Sequence, residues 1–155
     1  MRAVIQRVKR ASVEVVDEST GEACEVGAIG AGLCVLLGVT HDDGPEQVEK
    51  IARKIAQLKL LRSPGGSDEP NDRISAEESG APVLIVSQFT LYADVRKGRK
   101  PSWSKAAPGT VAEPLFDDVV AAVRAYGLTV ETGEFGAMMD VSLVNDGPFT
   151  IIAEV

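Results

Sequence analysis

Leu33-Cys34-Val35-Leu36-Leu37-Gly38-Val39 is a continuous apolar run broken only by Gly38. A half-exposed strand alternates polar and apolar residues, so an unbroken run predicts a central strand covered on both faces. Val83-Leu84-Ile85-Val86 predicts a second strand of the same kind. Around these runs lie two stretches with helical period. Pro45 opens the first, with Asp43 or Gly44 as its cap. Val48, Ile51, Ala52, Ile55 and Leu58 recur on one face, while Glu46, Glu49, Lys50, Arg53 and Lys54 face water. The second helix is expected over 111–126, with Pro114 in its first turn, a stripe of Phe116, Val119, Val120 and Val123, and Gly127 as its stop.

Shorter strands complete the pattern. Residues 3–8 and 12–16 alternate with period two, and Asp17-Glu18-Ser19-Thr20-Gly21 reads as a hairpin loop before a weaker strand over 22–29. Leu60 and Leu61 begin a short strand. The segment 63–82, rich in Gly, Pro, Ser, Asp and Glu, is long for a structureless loop and suggests a short strand near Arg73-Ile74. From Thr129 onward, strands alternate with Gly-containing turns. Asn145-Asp146-Gly147-Pro148 predicts a tight corner between apolar runs at 141–144 and 151–153. Two long amphipathic helices among many strands give an α+β fold, with a curved or barrel-like, mostly antiparallel sheet, in one domain over 1–155.

Composition narrows the chemistry. With 155 residues, 45% apolar and 25% charged, the chain has the profile of a soluble globular domain. No apolar run reaches the ~20 residues of a membrane span, and the N-terminus reads as a strand without a signal-peptide core, so the cytoplasm is the expected location. A net charge of −7 argues against a general nucleic-acid binder. His41 is the sole histidine and sits in a loop with Asp42, Asp43 and Gly44, which leaves no multi-histidine metal site within one chain and no promising Ser-His-Asp triad. Cys24 and Cys34 lack metal-ligand spacing and read as reduced structural thiols. No P-loop, dinucleotide fingerprint or metal motif is present, and no cofactor is expected.

Three stretches carry chemistry. Ser87-Gln88-Phe89-Thr90 ends a buried strand with polar groups, which are costly there unless they bond to nearby backbone or work on a ligand. Backbone donors at such a strand end suit a developing oxyanion, whereas no base accompanies Ser87 or Thr90 to make either a nucleophile. The segment 96–105 holds five of the sixteen basic residues, Arg96, Lys97, Arg99, Lys100 and Lys105, and no acid. It reads either as a solvated loop or as a phosphate-contacting surface for a single-stranded RNA end, with Trp103 expected to pack inward. The corner at Gly147-Pro148 offers main chain without an obstructing side chain, and touches a substrate only if its carbonyls face outward.

Together these stretches resemble the D-aminoacyl-tRNA deacylase family. The similarity begins at Met1-Arg2-Ala3-Val4-Ile5-Gln6-Arg7-Val8 and passes through Leu36-Leu37-Gly38-Val39 and Ala52-Arg53-Lys54-Ile55. Its most specific parts are Ser87-Gln88-Phe89-Thr90-Leu91-Tyr92-Ala93-Asp94, Arg96-Lys97-Gly98 with Ala106-Ala107-Pro108, and Asn145-Asp146-Gly147-Pro148 with Thr150. The resemblance implies a homodimer with its active site at the subunit interface, acting on the 3′ end of aminoacylated tRNA. It implies a cis Gly147-Pro148 peptide reaching into the other subunit's pocket, with Gly147, Pro148, Phe149 and Thr150 binding substrate. The carbonyls of the dipeptide would hold the α-amino group and exclude L-residues. Ser87, Gln88, Phe89 and Thr90 would form the catalytic strand end, at which water attacks with help from the RNA's 2′-hydroxyl. Arg96, Lys97, Arg99 and Lys100 would contact tRNA.

Some positions depart from the family pattern. Phe149 stands where Val is more familiar, and Trp103 where Phe is usual, so Phe149 puts pocket size in question. The reaction expected is hydrolysis of D-aminoacyl-tRNA, and of mischarged glycyl-tRNA, in translation quality control. The rival readings are a non-catalytic tRNA-binding module and a general small-ester hydrolase.

Overall fold

The computed structural model describes residues 1–96 and 98–155. The two N-terminal strands expected from the alternation are one long strand, β1 (Arg2–Val16), and it is the spine of the sheet. Along one edge it pairs antiparallel with β3 (Gly32–Gly38) and then with β2 (Ala23–Ile29); along the other it pairs antiparallel with β6 (Met139–Glu154) over almost its full length. The hairpin loop before β2 forms as expected, with the Asp17 carboxylate accepting the Ser19 and Thr20 N–H groups.

The continuous apolar runs become β3 and β4 (Val83–Ser87), which pair in parallel, and β5 (Val130–Thr132) adds in parallel to β4. Parallel neighbours need a crossover connection. The two amphipathic helices supply it: α1 (Pro45–Gln57) joins β3 to β4, and α3 (Gly109–Arg124) lies between β4 and β5. The sheet is therefore mixed, antiparallel around β1 and parallel where the helices cross. It nearly closes on itself, because a Cβ on Gly27 in β2 would lie only 2.7 Å from the Thr132 carbonyl oxygen in β5.

Period two assigns the two faces of the central strands. Leu33, Val35, Leu37, Val83 and Ile85 pack beneath Val48, Ile51 and Ile55 of α1 and Phe116, Val119 and Val123 of α3. Cys34, Leu84 and Val86 point the other way, into a second cluster with Val8, Ala11, Val13 and Ile29. Burial there pushes the Cys34 thiol up to about 11, which keeps it protonated and inert.

Two local expectations needed revision. The segment 63–82 holds a third, short helix, α2 (Ala76–Ser79), capped reciprocally by Ser75 and Glu78, while the suspected strand is a single bridge between Leu61 and Ile74. One helical turn is too short to show a period. The corner at 145–150 is not a hairpin between two strands. Gln6 pairs with Thr150 and Val8 with Asn145, so residues 146–149 all stand opposite Arg7 as a bulge within β6. Both flanking runs pair with the same neighbour, so the chain bows outward and continues in its original direction.

Candidate active site

At its C-terminal end β4 passes at Ser87 into a single 3-10 turn, Phe89–Tyr92. The Gln88 N–H donates to the Leu37 carbonyl at 2.8 Å, which ties the turn to β3. Gly38 makes this junction possible: a Cβ there would stand 3.0 Å from the Gln88 carbonyl oxygen and 3.2 Å from the Leu91 Cβ. The Gln88 side-chain amide donates to the Thr90 hydroxyl, so that hydroxyl is bonded to a side chain rather than to backbone. The N–H groups of Phe89 and Thr90 begin the turn with no acceptor among the described residues.

Ser87, Gln88 and Phe89 line a cleft of about 500 Å³ beneath the start of α3. Phe116, Phe135, Met138 and Met139 supply much of its apolar wall. A cleft of this size with a few polar groups at one end has the form of a small-ligand site. Of the strand-end residues expected from the sequence, Thr90 does not line the cleft; the wall from 135–139 was missed, its Gly-containing turn showing no feature beyond its composition.

The Gly147–Pro148 peptide is cis, and both residues are exposed. The corner is held from behind by Arg7, whose side chain is only 2% exposed. Its Nε donates to the Asp146 carbonyl and its Nη2 to the Gly147 carbonyl, each at 2.9 Å. The same guanidinium makes paired bonds of 2.8 and 2.9 Å to the Asp68 carboxylate, and Nη1 also donates to the Leu60 carbonyl at 2.9 Å. One lone pair of the Gly147 oxygen is thus already engaged within the chain, which the expectation of outward carbonyls did not include. Hydrogen bonds from Arg7, with Arg62 and Arg73 adding charge, pull the Asp68 carboxyl down to about 2.

The guanidiniums of Arg7 and Arg73 each lie over the Phe149 ring, 4.7 and 4.6 Å from its centroid, and the ring packs against the helix-side core. No Phe149 atom would lie within 4 Å of a Cβ on Gly147. Thr150 is exposed and accepts a bond from the Gln6 amide at 3.1 Å. Arg7 was not singled out from the sequence, although one signal was available. It shares strand parity with Ala3 and Ile5, both fully buried, and a charged residue at a core-facing position needs partners.

Within one chain the cleft and the corner are apart. Ser87 aligns through Leu37 with Ala3 of β1, whereas the bulge stands opposite Arg7, four residues further along that strand. At ~3.3 Å per residue the offset along β1 alone is about 13 Å.

The basic segment folds back on itself through mutual backbone bonds between Asp94 and Ser102. Arg96 wraps its guanidinium around the Asp94 carboxylate, which holds that carboxyl well below its ordinary range. Arg99 and Lys100 are exposed and form no ion pair among the described residues. The expectation for Lys97 lies outside the described residues. Trp103 does not pack inward: it is 43% exposed and meets Phe89 edge to face, centroids 6.0 Å apart at 65°. His41 is exposed, as expected for a loop residue, with Nε2 3.0 Å from the Ser104 carbonyl oxygen.

A family model described as D-Tyr-tRNA(Tyr) deacylase matches residues 4–154. The chain belongs to this family. It is 61% identical to a D-aminoacyl-tRNA deacylase of Kineococcus radiotolerans, with 99% of each chain covered. It is 56% identical to one of Streptomyces coelicolor, with both chains covered completely. Among solved structures it is similar to a c-Myc DNA unwinding element binding protein, with a TM-score of 0.86 and 39% identity over 100% of this chain and 99% of the other. A probable eukaryotic D-amino acid tRNA deacylase shares the fold at a TM-score of 0.81 and 20% identity, over 99% and 98% of the two chains. In this member of the family the long β1 spine, the strand-end cleft and the bulged corner are the features to which a function must be fitted. Among the described residues no helix is long and apolar enough to cross a membrane, and no cluster of His, Cys, Asp or Glu could hold a metal ion.

Proposed function

We propose that the protein hydrolyses the ester of D-aminoacyl-tRNA, releasing tRNA and the free D-amino acid, and that it works as a homodimer in which each corner enters the partner's cleft. Family membership and the relatives at 61% and 56% identity support the reaction class, a hydrolase acting on a carboxylic ester. The observation that carries the two-chain site is the separation of cleft and corner. Gly147 and Pro148 are exposed, immobilised by a buried guanidinium, and about 13 Å along β1 from the cleft of their own chain.

In this reading the terminal adenosine occupies the cleft, and the ester carbonyl lies against the N–H groups of Phe89 and Thr90. Water adds to the ester carbon, and those two donors take the negative charge that develops on its oxygen. The carbon–oxygen bond to the ribose then breaks, and the RNA oxygen leaves with a proton, assisted by the neighbouring 2′-hydroxyl. The α-amino group is held by main-chain oxygens of the Gly147–Pro148 corner, including the remaining lone pair of the Gly147 carbonyl. An L-side chain would collide with that corner and a D-side chain points away from it. Glycine has nothing to exclude, so mischarged glycyl-tRNA is a second substrate, and the cellular role is cytoplasmic quality control of translation.

The test is deacylation of D-tyrosyl-tRNA beside L-tyrosyl-tRNA. Rapid loss of the D-ester with the L-ester intact is expected, and equal rates or none would overturn the reading. Thr90→Ala should keep much of the rate, because backbone donors and the substrate carry the chemistry.

A further inference from the structure

We propose that Phe89 and Trp103 form a stacking platform for an unpaired base of the tRNA 3′ end, just outside the cleft. The proposal rests on the deacylase reading and adds to it the surface that receives the RNA before the terminal nucleotide. Phe89 is 57% exposed and Trp103 43%, although the two rings meet edge to face. Large aromatic side chains seldom stand exposed beside one another without a partner. Phe89 also lines the cleft, so the pair stands at its mouth.

Trp103 is held in this exposed position by the frame around it. Asp94 and Ser102 bond reciprocally at 2.7 and 3.1 Å, and the Ala106 N–H donates to the Trp103 carbonyl at 2.9 Å. The Thr40 hydroxyl donates to the Lys105 carbonyl at 2.6 Å, and the His41 ring bonds the Ser104 carbonyl. A preorganised ring loses little freedom when a base lands on it. Charge selects the occupant. In a chain of net charge −7, Arg99 and Lys100 are exposed in the same segment and form no ion pair among the described residues. Exposed π-faces beside cations suit a single strand, whose bases are free to stack while its phosphates meet the basic groups. A duplex offers phosphates without free base faces.

Trp103 is the only tryptophan in the chain, so its fluorescence reports on this surface alone. The full-length protein is titrated with an uncharged RNA minihelix carrying an unpaired 3′ CCA and with the same duplex made blunt. The CCA minihelix should quench Trp103 and the blunt duplex should not; equal quenching by both, or by neither, overturns the proposal. In deacylation assays Trp103→Leu should raise KM roughly 5- to 150-fold, the range for losing one base–aromatic stack, with little change in kcat. Trp103→Phe, which keeps a π-face, should recover most of that loss; an unchanged KM for Trp103→Leu sinks the platform. Normal D-aminoacyl-tRNA turnover with an unquenched Trp103 would remove the platform and leave the deacylase reading standing. Quenching without turnover would do the reverse.

Discussion

The guanidinium of Arg7 donates from Nη2 to the carbonyl oxygen of Gly147 at 2.9 Å, joining the middle of the first strand to a bulge in the last, 140 residues away. A side chain at the core boundary thereby fixes the orientation of a surface carbonyl. Arg62 on the Asp146 carboxylate, the Asn145 amide on the Phe149 carbonyl and Arg73 over the Phe149 ring hold the rest of the bulge.

Arg7→Lys removes the forked donor geometry that reaches Asp146, Gly147, Leu60 and Asp68 together. The expected outcome is destabilisation on the order of 2–3 kcal/mol, because one buried and several part-buried acceptors lose their charged donor. Deacylation should fall by about tenfold or more from misplacement of the corner. Urea unfolding and single-turnover hydrolysis measure the two effects separately.

The Arg7–Asp68 contact should also appear in acid. Hydrogen bonding to Arg7 first, and the charges of Arg7, Arg62 and Arg73 next, lower the Asp68 carboxyl from 3.8 to about 2 in the folded protein. A depressed folded value means that its stabilisation is fully present above the unfolded value and is lost as pH falls through the folded one. Wild type should therefore exceed Asp68→Asn in stability above about pH 4 and lose that advantage between about pH 4 and 2. A difference that stayed constant across this window would contradict the assignment.

Gly147→Ala separates folding from function. A Cβ at Gly147 would meet only the Asn145 Oδ1, at 3.8 Å, so the protein itself has room for it. Thermal stability should change by less than about 1 kcal/mol. Turnover of D-tyrosyl-tRNA should nevertheless drop by about tenfold or more, since the added methyl occupies the approach to the carbonyl. Equal activity in the variant would argue against substrate contact at this corner.

Gly38→Ala is the opposite case. Here the new Cβ would press on the Gln88 carbonyl oxygen at 3.0 Å and on Leu91 and Tyr92 at 3.2 Å. Overpacking of this kind costs about 1–3 kcal/mol, and the turn that presents the Phe89 and Thr90 N–H groups must shift. Both stability and hydrolysis should fall, read by calorimetry and by the same deacylation assay.

Much of this architecture was legible in the chain itself. Continuous apolar runs identified β3 and β4, helical spacing identified α1 and the stripe of α3, and the polar residues after Val86 marked the strand end as unusual. These are local signals, because period and burial act on neighbouring residues. The corner showed where local reading stops. Asn-Asp-Gly-Pro is turn chemistry in either setting, and only pairing of both flanks with β1 makes it a bulge rather than a hairpin.

Sequence alone determined the α+β class, the single histidine, and the polar and basic stretches on which the proposed site draws. Tertiary structure decided what those stretches face. Arg7 reaches Gly147 and Asp68 only because β1, β6 and the segment after α1 converge on it, and Trp103 stands exposed against Phe89 only because strand β4 ends beside the basic loop. The physical reason is sequence separation. Hydrogen bonds and ring contacts between residues tens of positions apart depend on how strands are ordered in space, which no local period records.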